Sequence, residues 1–303
     1  MAGRHFVVFC VYLLHKCIIV QSNEHASNIH ALIEKRMKEK AQLNYHLTAA
    51  WCGIIYAALY GAFWYGIGHS YAPARAALSP EQIVGYYRMQ HTELLVGCTL
   101  PCLIAVLDIG WVTLLGMKMA KINGFVPILA IRQIMGGTLT IFGVMLPLIF
   151  WATAAHRIDS GRHILHAFNG VAWFTIDLPW PLAMVQMLAA AAVGLSDKSR
   201  SPLFPRWACY LSIDGSVSFV LVSFIPFFKT GLLAWHGLLC FWVPFIPWFL
   251  WLAVFSFYMI RDIDRQLLNL EVGPPATAGI VASRQDPPKR GIVMPVTMPM
   301  RST

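Results

Sequence analysis

Two apolar runs near the carboxyl end, Trp207–Phe228 and Leu238–Ile260, constrain the chain most. Each exceeds the roughly 20 residues a helix needs to cross a bilayer core. Neither has a polar stripe at helical spacing, which a surface helix of a soluble domain would show. The break between them, Lys229-Thr-Gly-Leu-Leu-Ala-Trp-His236-Gly, is short, so two antiparallel neighbouring spans are expected. Further apolar runs place spans at about 47–69, 93–117, 128–153 and 170–195. With 207–228 and 238–260 these predict an all-α, polytopic transmembrane bundle of six spans.

Composition agrees. Of 303 residues, 57% are hydrophobic and only 12% charged, against about 25% charged in a soluble domain. Lys and Arg outnumber Asp and Glu by 23 to 14. In a membrane protein such an excess belongs to the cytoplasmic rim and its contact with anionic lipid. No basic soluble segment carries interleaved aromatics, which argues against a nucleic-acid partner. The seven cysteines lie in or beside apolar runs, so a disulfide framework is not expected.

Residues 1–46 read as an amino-terminal extension. Its apolar stretch 6–20 is short for a span and is followed by the charged segment Glu34-Lys-Arg-Met-Lys-Glu-Lys40. Met37 has the look of a natural start, which makes residues 1–36 an upstream extension; a signal or an added span is the other reading. Residues 47–265 form the transmembrane domain. Residues 266–303, rich in Pro, Gly, Ala and Ser toward the end, read as a disordered cytoplasmic tail.

In the first outer loop, Ser79-Pro-Glu-Gln82 has a capping serine, a proline at the first helical position and a glutamine at the third. This is a capping box, and it predicts a short interfacial helix. Pro101 predicts a kink in the second span.

Orientation follows the distribution of cations at the span ends. Lys35, Arg36, Lys38, Lys40, Lys118, Lys121, Arg132, Lys198, Arg200, Arg206, Arg261 and Arg265 fall on one side. Arg75, Arg88, Arg157, Arg162 and Lys229 fall on the other. Both termini are therefore expected on the cytoplasmic side of a cytoplasmic membrane. Trp51, Trp64, Trp151, Trp207, Trp235 and Trp251 lie near span ends, where interfacial anchors are expected.

The segments SPEQIVGYYR (79–88), PLFPRWACYL (202–211) and FFKTGLLAWHGLLCFWVP (227–244) resemble an uncharacterised family of bacterial six-span integral membrane proteins, found mainly in actinobacteria and some proteobacteria. The resemblance covers about residues 45–265. It implies a multi-pass helical membrane protein and carries over no catalytic residue.

Charges within spans are expensive and so mark candidate sites. Asp108, Arg132 and Asp214 lie at similar depth toward the cytoplasmic side. They are expected to form one cluster, either an ion pair locking helices together or a gate or proton-coupling site; uncoupled charges that snorkel to the interface are the third reading. In the fourth span, His163, His166, Gly170, Trp173 and Asp177 step by three or four and share a helical face. Asp177 directly precedes Leu-Pro179-Trp-Pro181, whose prolines remove backbone donors and break the helix. This outer-half stripe is the candidate substrate path; the competing reading is a packed interhelical face. His163 and His166 are the only metal candidates, and an HxxH pair without further ligands specifies no metal. No nucleophile constellation, phosphate loop or cofactor motif occurs, and no cofactor is expected.

The reading that follows is an integral membrane protein that transports or binds a small, largely apolar organic molecule. Its partners are membrane lipid and that solute. The alternatives are a membrane scaffold or accessory subunit without substrate, and an outer-face metal-dependent membrane enzyme.

Overall fold

The structure is a computed structural model. It describes the backbone of residues 2–69, 73–122 and 127–272, and their side chains from residue 27 onward. The side chains of the 6–20 apolar run and all of the tail beyond residue 272 lie outside the described residues.

Among the described residues every regular element is helical. α1 spans Ala2–Tyr60 and passes into a π-helical turn, Gly61–Ile67. α2 (Pro80–Met89) is the short loop helix. α3 (His91–Ile104) and α4 (Val106–Ala120) form one span divided at Ala105, one turn after Pro101. α5 is Pro127–His156. α6 (Arg162–Asp177) and α7 (Trp180–Ser196) form one span broken at Leu178-Pro179. α8 (Arg206–Ser218) tightens into a 3₁₀ segment, Phe219–Phe227. A π-helical turn, Leu238–Trp242, leads into α9, Val243–Val272.

Six of these helical stretches are long and apolar enough to cross a membrane: Ser27–Ile67, His91–Ala120, Pro127–His156, Arg162–Ser196, Arg206–Phe227 and Leu238–Val272. Large apolar side chains such as Ile131, Met135, Phe142 and Phe257 stand exposed on their outer surfaces. Exposure of that kind suits a lipid solvent and no aqueous one. The chain is an all-α, six-span integral membrane protein.

Two compact units divide the chain. The smaller comprises residues 1–42 and 267–303, and within it Lys40 pairs with Glu271 at 2.8 Å. The larger, residues 43–266, contains the bundle. Its helices approach closely where glycine faces a neighbour. A Cβ on Gly97 would lie 2.4 Å from the Gly68 Cα, and one on Gly137 2.6 Å from a Val112 methyl. Small residues at helix interfaces are the usual device where lipid provides no hydrophobic drive to association.

The capping box forms as expected. Gln82 N–H donates to Ser79 Oγ at 3.3 Å, and Ser79 N–H donates to Gln82 Oε1 at 2.9 Å. Not every tryptophan at a span end is an interfacial anchor. Trp207 and Trp51 are about half exposed, whereas Trp64, Trp151 and Trp251 are buried. The buried ones join an aromatic interior in which Trp64 meets Trp151, Phe241 and Phe245 at 5.7–6.2 Å between ring centres. Burial of that much aromatic surface outweighs the interfacial preference of single indoles.

Within the larger unit the loops gather at two ends. At one end, Trp235 Nε1–H donates to the Ala74 carbonyl at 2.8 Å and Arg162 pairs with Glu81 at 2.9 Å. His166 Nε2–H donates there to the Leu78 carbonyl at 3.2 Å. At the other end, Lys118 pairs with Asp262 at 2.6 Å, and Arg265 reaches Ser201 Oγ at 3.5 Å. We call these the histidine end and the basic end.

Candidate functional site

α6 places the predicted stripe along one face. His163 is exposed at its start and accepts from Arg162 Nε–H at 3.4 Å. His166 is half-buried, Gly170 borders a cavity, and Trp173 and Asp177 are buried. The face therefore descends from the histidine end into the bundle. Trp173 stacks on Trp235 at 5.9 Å with planes 10° apart, and meets Trp151 edge-on at 4.9 Å.

Asp177 ends α6 at the helix break. It is 2% exposed, and among the described residues neither carboxyl oxygen has a hydrogen-bond partner. Such an arrangement is unusual, because a buried polar group without a partner costs free energy. Cys240, which feels its charge, does not bond to it but donates to the Leu221 and Leu233 carbonyls.

Two cavities flank this region. The larger, about 290 Å³, is lined by His166, Gly170, Phe174, Trp235, Lys229, Ile225 and neighbouring apolar groups. The smaller, about 30 Å³, has Ile176, Pro179, Trp180 and Thr140 in its wall together with Phe219, Phe245 and Trp248. That is room for about one water-sized group. Asp177 lines neither cavity; it follows Ile176 of the smaller one in sequence and comes three residues after Phe174 of the larger. The 3₁₀ segment contributes to both walls. Backbone that departs from α-geometry at membrane depth is tolerated where it is buried or lines a cavity.

A string of buried polar groups continues inward. Thr140 of α5 donates to the Gly136 carbonyl at 2.8 Å and accepts from Gln186 Nε2–H at 3.4 Å. Among the described residues, Gln186 Oε1 and both polar atoms of the Gln133 amide have no hydrogen-bond partner. Sequence reasoning missed both glutamines. Their signal was position on otherwise apolar helices, which is weak without knowing which face turns inward.

The three charges expected as one cluster are not brought together. Asp108 is buried, and its Oδ1 has no hydrogen-bond partner among the described residues. Arg132 and Asp214 are exposed, and among the described residues neither takes part in an ion pair. Similar depth did not mean a similar facing. The neighbours Gln133 and Gly215 take the inward positions, and a step of one residue turns a helix by about 100°. The ion pair near this region among the described residues is Lys118–Asp262, which joins the buried Lys118 of α4 to the half-buried Asp262 of α9.

No three His, Cys, Asp or Glu side chains gather as a metal set among the described residues. His163 and His166 engage Arg162 and the Leu78 carbonyl, as above. In the loop beside them, the half-buried His236 titrates below its ordinary value, first through burial and then through the charge of Arg75.

Compared with known proteins, the chain matches no protein-family model, no curated protein and no solved structure.

Proposed function

We propose that this membrane protein binds a small, largely apolar organic molecule at the α6 face and passes it through the bundle. Asp177 is the group whose charge or proton changes during the cycle. The observation that carries this reading is the buried Asp177 carboxyl, unpartnered at a helix break beside two cavities. An ionisable side chain inside a bundle is costly and is associated with pathways for solutes, ions or protons.

Three further features support it. The larger cavity has an apolar and aromatic wall with His166 and Lys229 as its polar groups, which fits a solute with one polar end. Thr140 and Gln186 continue a polar route beyond Asp177. The excess of cations at the basic end supports a cytoplasmic placement of that end, which puts the opening of the α6 face on the outer side in this reading.

The test is uptake into proteoliposomes under an imposed pH gradient, using radiolabelled lipophilic acids, amines and neutral molecules. At least one class should accumulate above protein-free liposomes and quench the Trp173/Trp235 fluorescence. Asp177→Asn should lower that uptake by about tenfold or more, the effect of about 1.4 kcal/mol at the limiting step. Unchanged uptake in Asp177→Asn, or neither uptake nor quenching with any probe, overturns the proposal.

A further inference from the structure

A separate cavity, about 240 Å³, opens at the basic end between the loop after α7 and the last helix. Ser201, Leu203, Tyr258, Arg261 and Arg265 line it, and so does the carboxylate of Asp262. Nothing in the solute reading above uses it.

Its charge is not balanced from within. Asp262 is committed to Lys118 at 2.6 Å and accepts from Gln266 at 2.8 Å. Asp197, which holds the loop, accepts from the Ser199 and Leu203 backbone N–H groups at 2.9 and 3.1 Å. Burial opposes its ionisation, but those hydrogen bonds outweigh burial and keep its titration below the usual carboxylate range. Asp264 is exposed and outside the lining. Arg261 forms no ion pair among the described residues, and Arg265 has only the long bond to Ser201 Oγ. The two arginines are four residues apart on α9, so their forks project over one face.

The depth of the cavity is marked by its neighbours. Trp207 and Tyr258 meet at 6.1 Å between ring centres, and Trp207 is half exposed. Trp and Tyr concentrate where acyl chains give way to headgroups. On the apolar side of this pair, Tyr210 and Phe257 are exposed. The cavity thus has cationic forks at headgroup level and an apolar wall descending from it.

We propose that this cavity is a phosphate-ester site for the headgroup of an anionic phospholipid. Arg261 and Arg265 grip the phosphate oxygens, Ser201 Oγ donates a further hydrogen bond, and the acyl chains lie along Trp207, Tyr210 and Phe257. Arginine suits this task because its planar fork binds phosphate in a bidentate manner.

The test is native mass spectrometry of the full chain in detergent with added phosphatidylglycerol or phosphatidylcholine, with thermal stability in inorganic phosphate as a parallel arm. Phosphatidylglycerol should be retained in preference to phosphatidylcholine. R261Q/R265Q should weaken that retention by about tenfold or more, since each cation near an anionic headgroup contributes about 1 kcal/mol. K198Q/R200Q removes the same charge from the loop outside the cavity and should leave retention unchanged. Stabilisation by inorganic phosphate that is lost in R261Q/R265Q, without preference for phosphatidylglycerol, would overturn the lipid as the source of the phosphate. Equal retention by wild type and R261Q/R265Q, or equal losses in the two double variants, overturns the site. Equal retention of the two lipids by wild type overturns it even where R261Q/R265Q fails to fold.

Discussion

The indole N–H of Trp111 in α4 donates to Ser256 Oγ in α9 at 2.7 Å, and the Ser256 hydroxyl donates to the Leu252 carbonyl at 2.7 Å. Gly53 of α1 closes over this pair. A Cβ there would lie 2.1 Å from Trp111 Cδ1 and 2.6 Å from Ser256 Oγ. A buried indole cannot yield, so Gly53→Ala should cost about 1–3 kcal/mol by overpacking. Gly61 has nothing within 4 Å of its Cβ position. Gly61→Ala should therefore be neutral or stabilising. Thermal melts of the two variants in one detergent check the contrast, and similar shifts would contradict it.

The Lys118–Asp262 pair predicts an asymmetry. Lys118 is 6% exposed, while Asp262 is 37% exposed and can turn to water. Asp262→Asn strands a buried ammonium and should cost about 3 kcal/mol. Lys118→Met leaves a carboxylate that rehydrates, and should cost less. The double variant should be more stable than Asp262→Asn alone, because coupled partners do not add. A double-mutant cycle by chemical denaturation or melting tests this; strict additivity would refute it.

His236 predicts a pH effect. Burial, followed by the charge of Arg75, holds its folded titration below the ordinary 6.5. Below about 6.5 the unfolded chain then binds more protons than the folded one, so stability falls as pH falls through that window. The contribution is fully present above it. The structural counterpart is a bond from Ala76 N–H to His236 Nδ1 at 3.4 Å, which protonation of Nδ1 abolishes. The melting temperature should drop more steeply on acidification for wild type than for His236→Gln. Parallel pH profiles would remove His236 as the cause.

Arrangement across the bilayer is testable by labelling. Ala77 and Asp159 are exposed at the histidine end and Ser199 at the basic end. Ala77→Cys and Asp159→Cys should react with an impermeant maleimide added outside intact cells. Ser199→Cys should react only after permeabilisation. The reverse pattern would invert the orientation that the cations favour.

How much of this was legible in the sequence depended on whether a property is local. Span length, the Ser79–Gln82 capping box and the shared face of His166, Trp173 and Asp177 follow from spacing alone. What surrounds each helix does not. Arg132 and Gln133 are adjacent, yet the arginine faces out and the amide faces in. Only packing against α4 and α7 decides that. Lys118 reads as an ordinary cation at a span end, because its partner Asp262 lies 144 residues away. Helix α9 likewise runs past Ile260 to Val272. Hydropathy falls at Arg261, but Ile263 remains buried and Asp262 pairs with Lys118 and accepts from Gln266, so the helix continues.

The two π-helical turns, Gly61–Ile67 and Leu238–Trp242, have an evolutionary consequence. A π turn holds about one residue more than an α turn, since its bonds reach from i to i+5. Deleting one residue there converts the turn to α-geometry and leaves α1 before the first turn, and α9 after the second, in phase. Deleting one residue in the first turn of α5 would rotate every later side chain by about 100° and turn Gln133 and Thr140 from their inward positions. Length variation in this lineage should therefore collect at 61–67 and 238–242, within the membrane, as readily as in the loops.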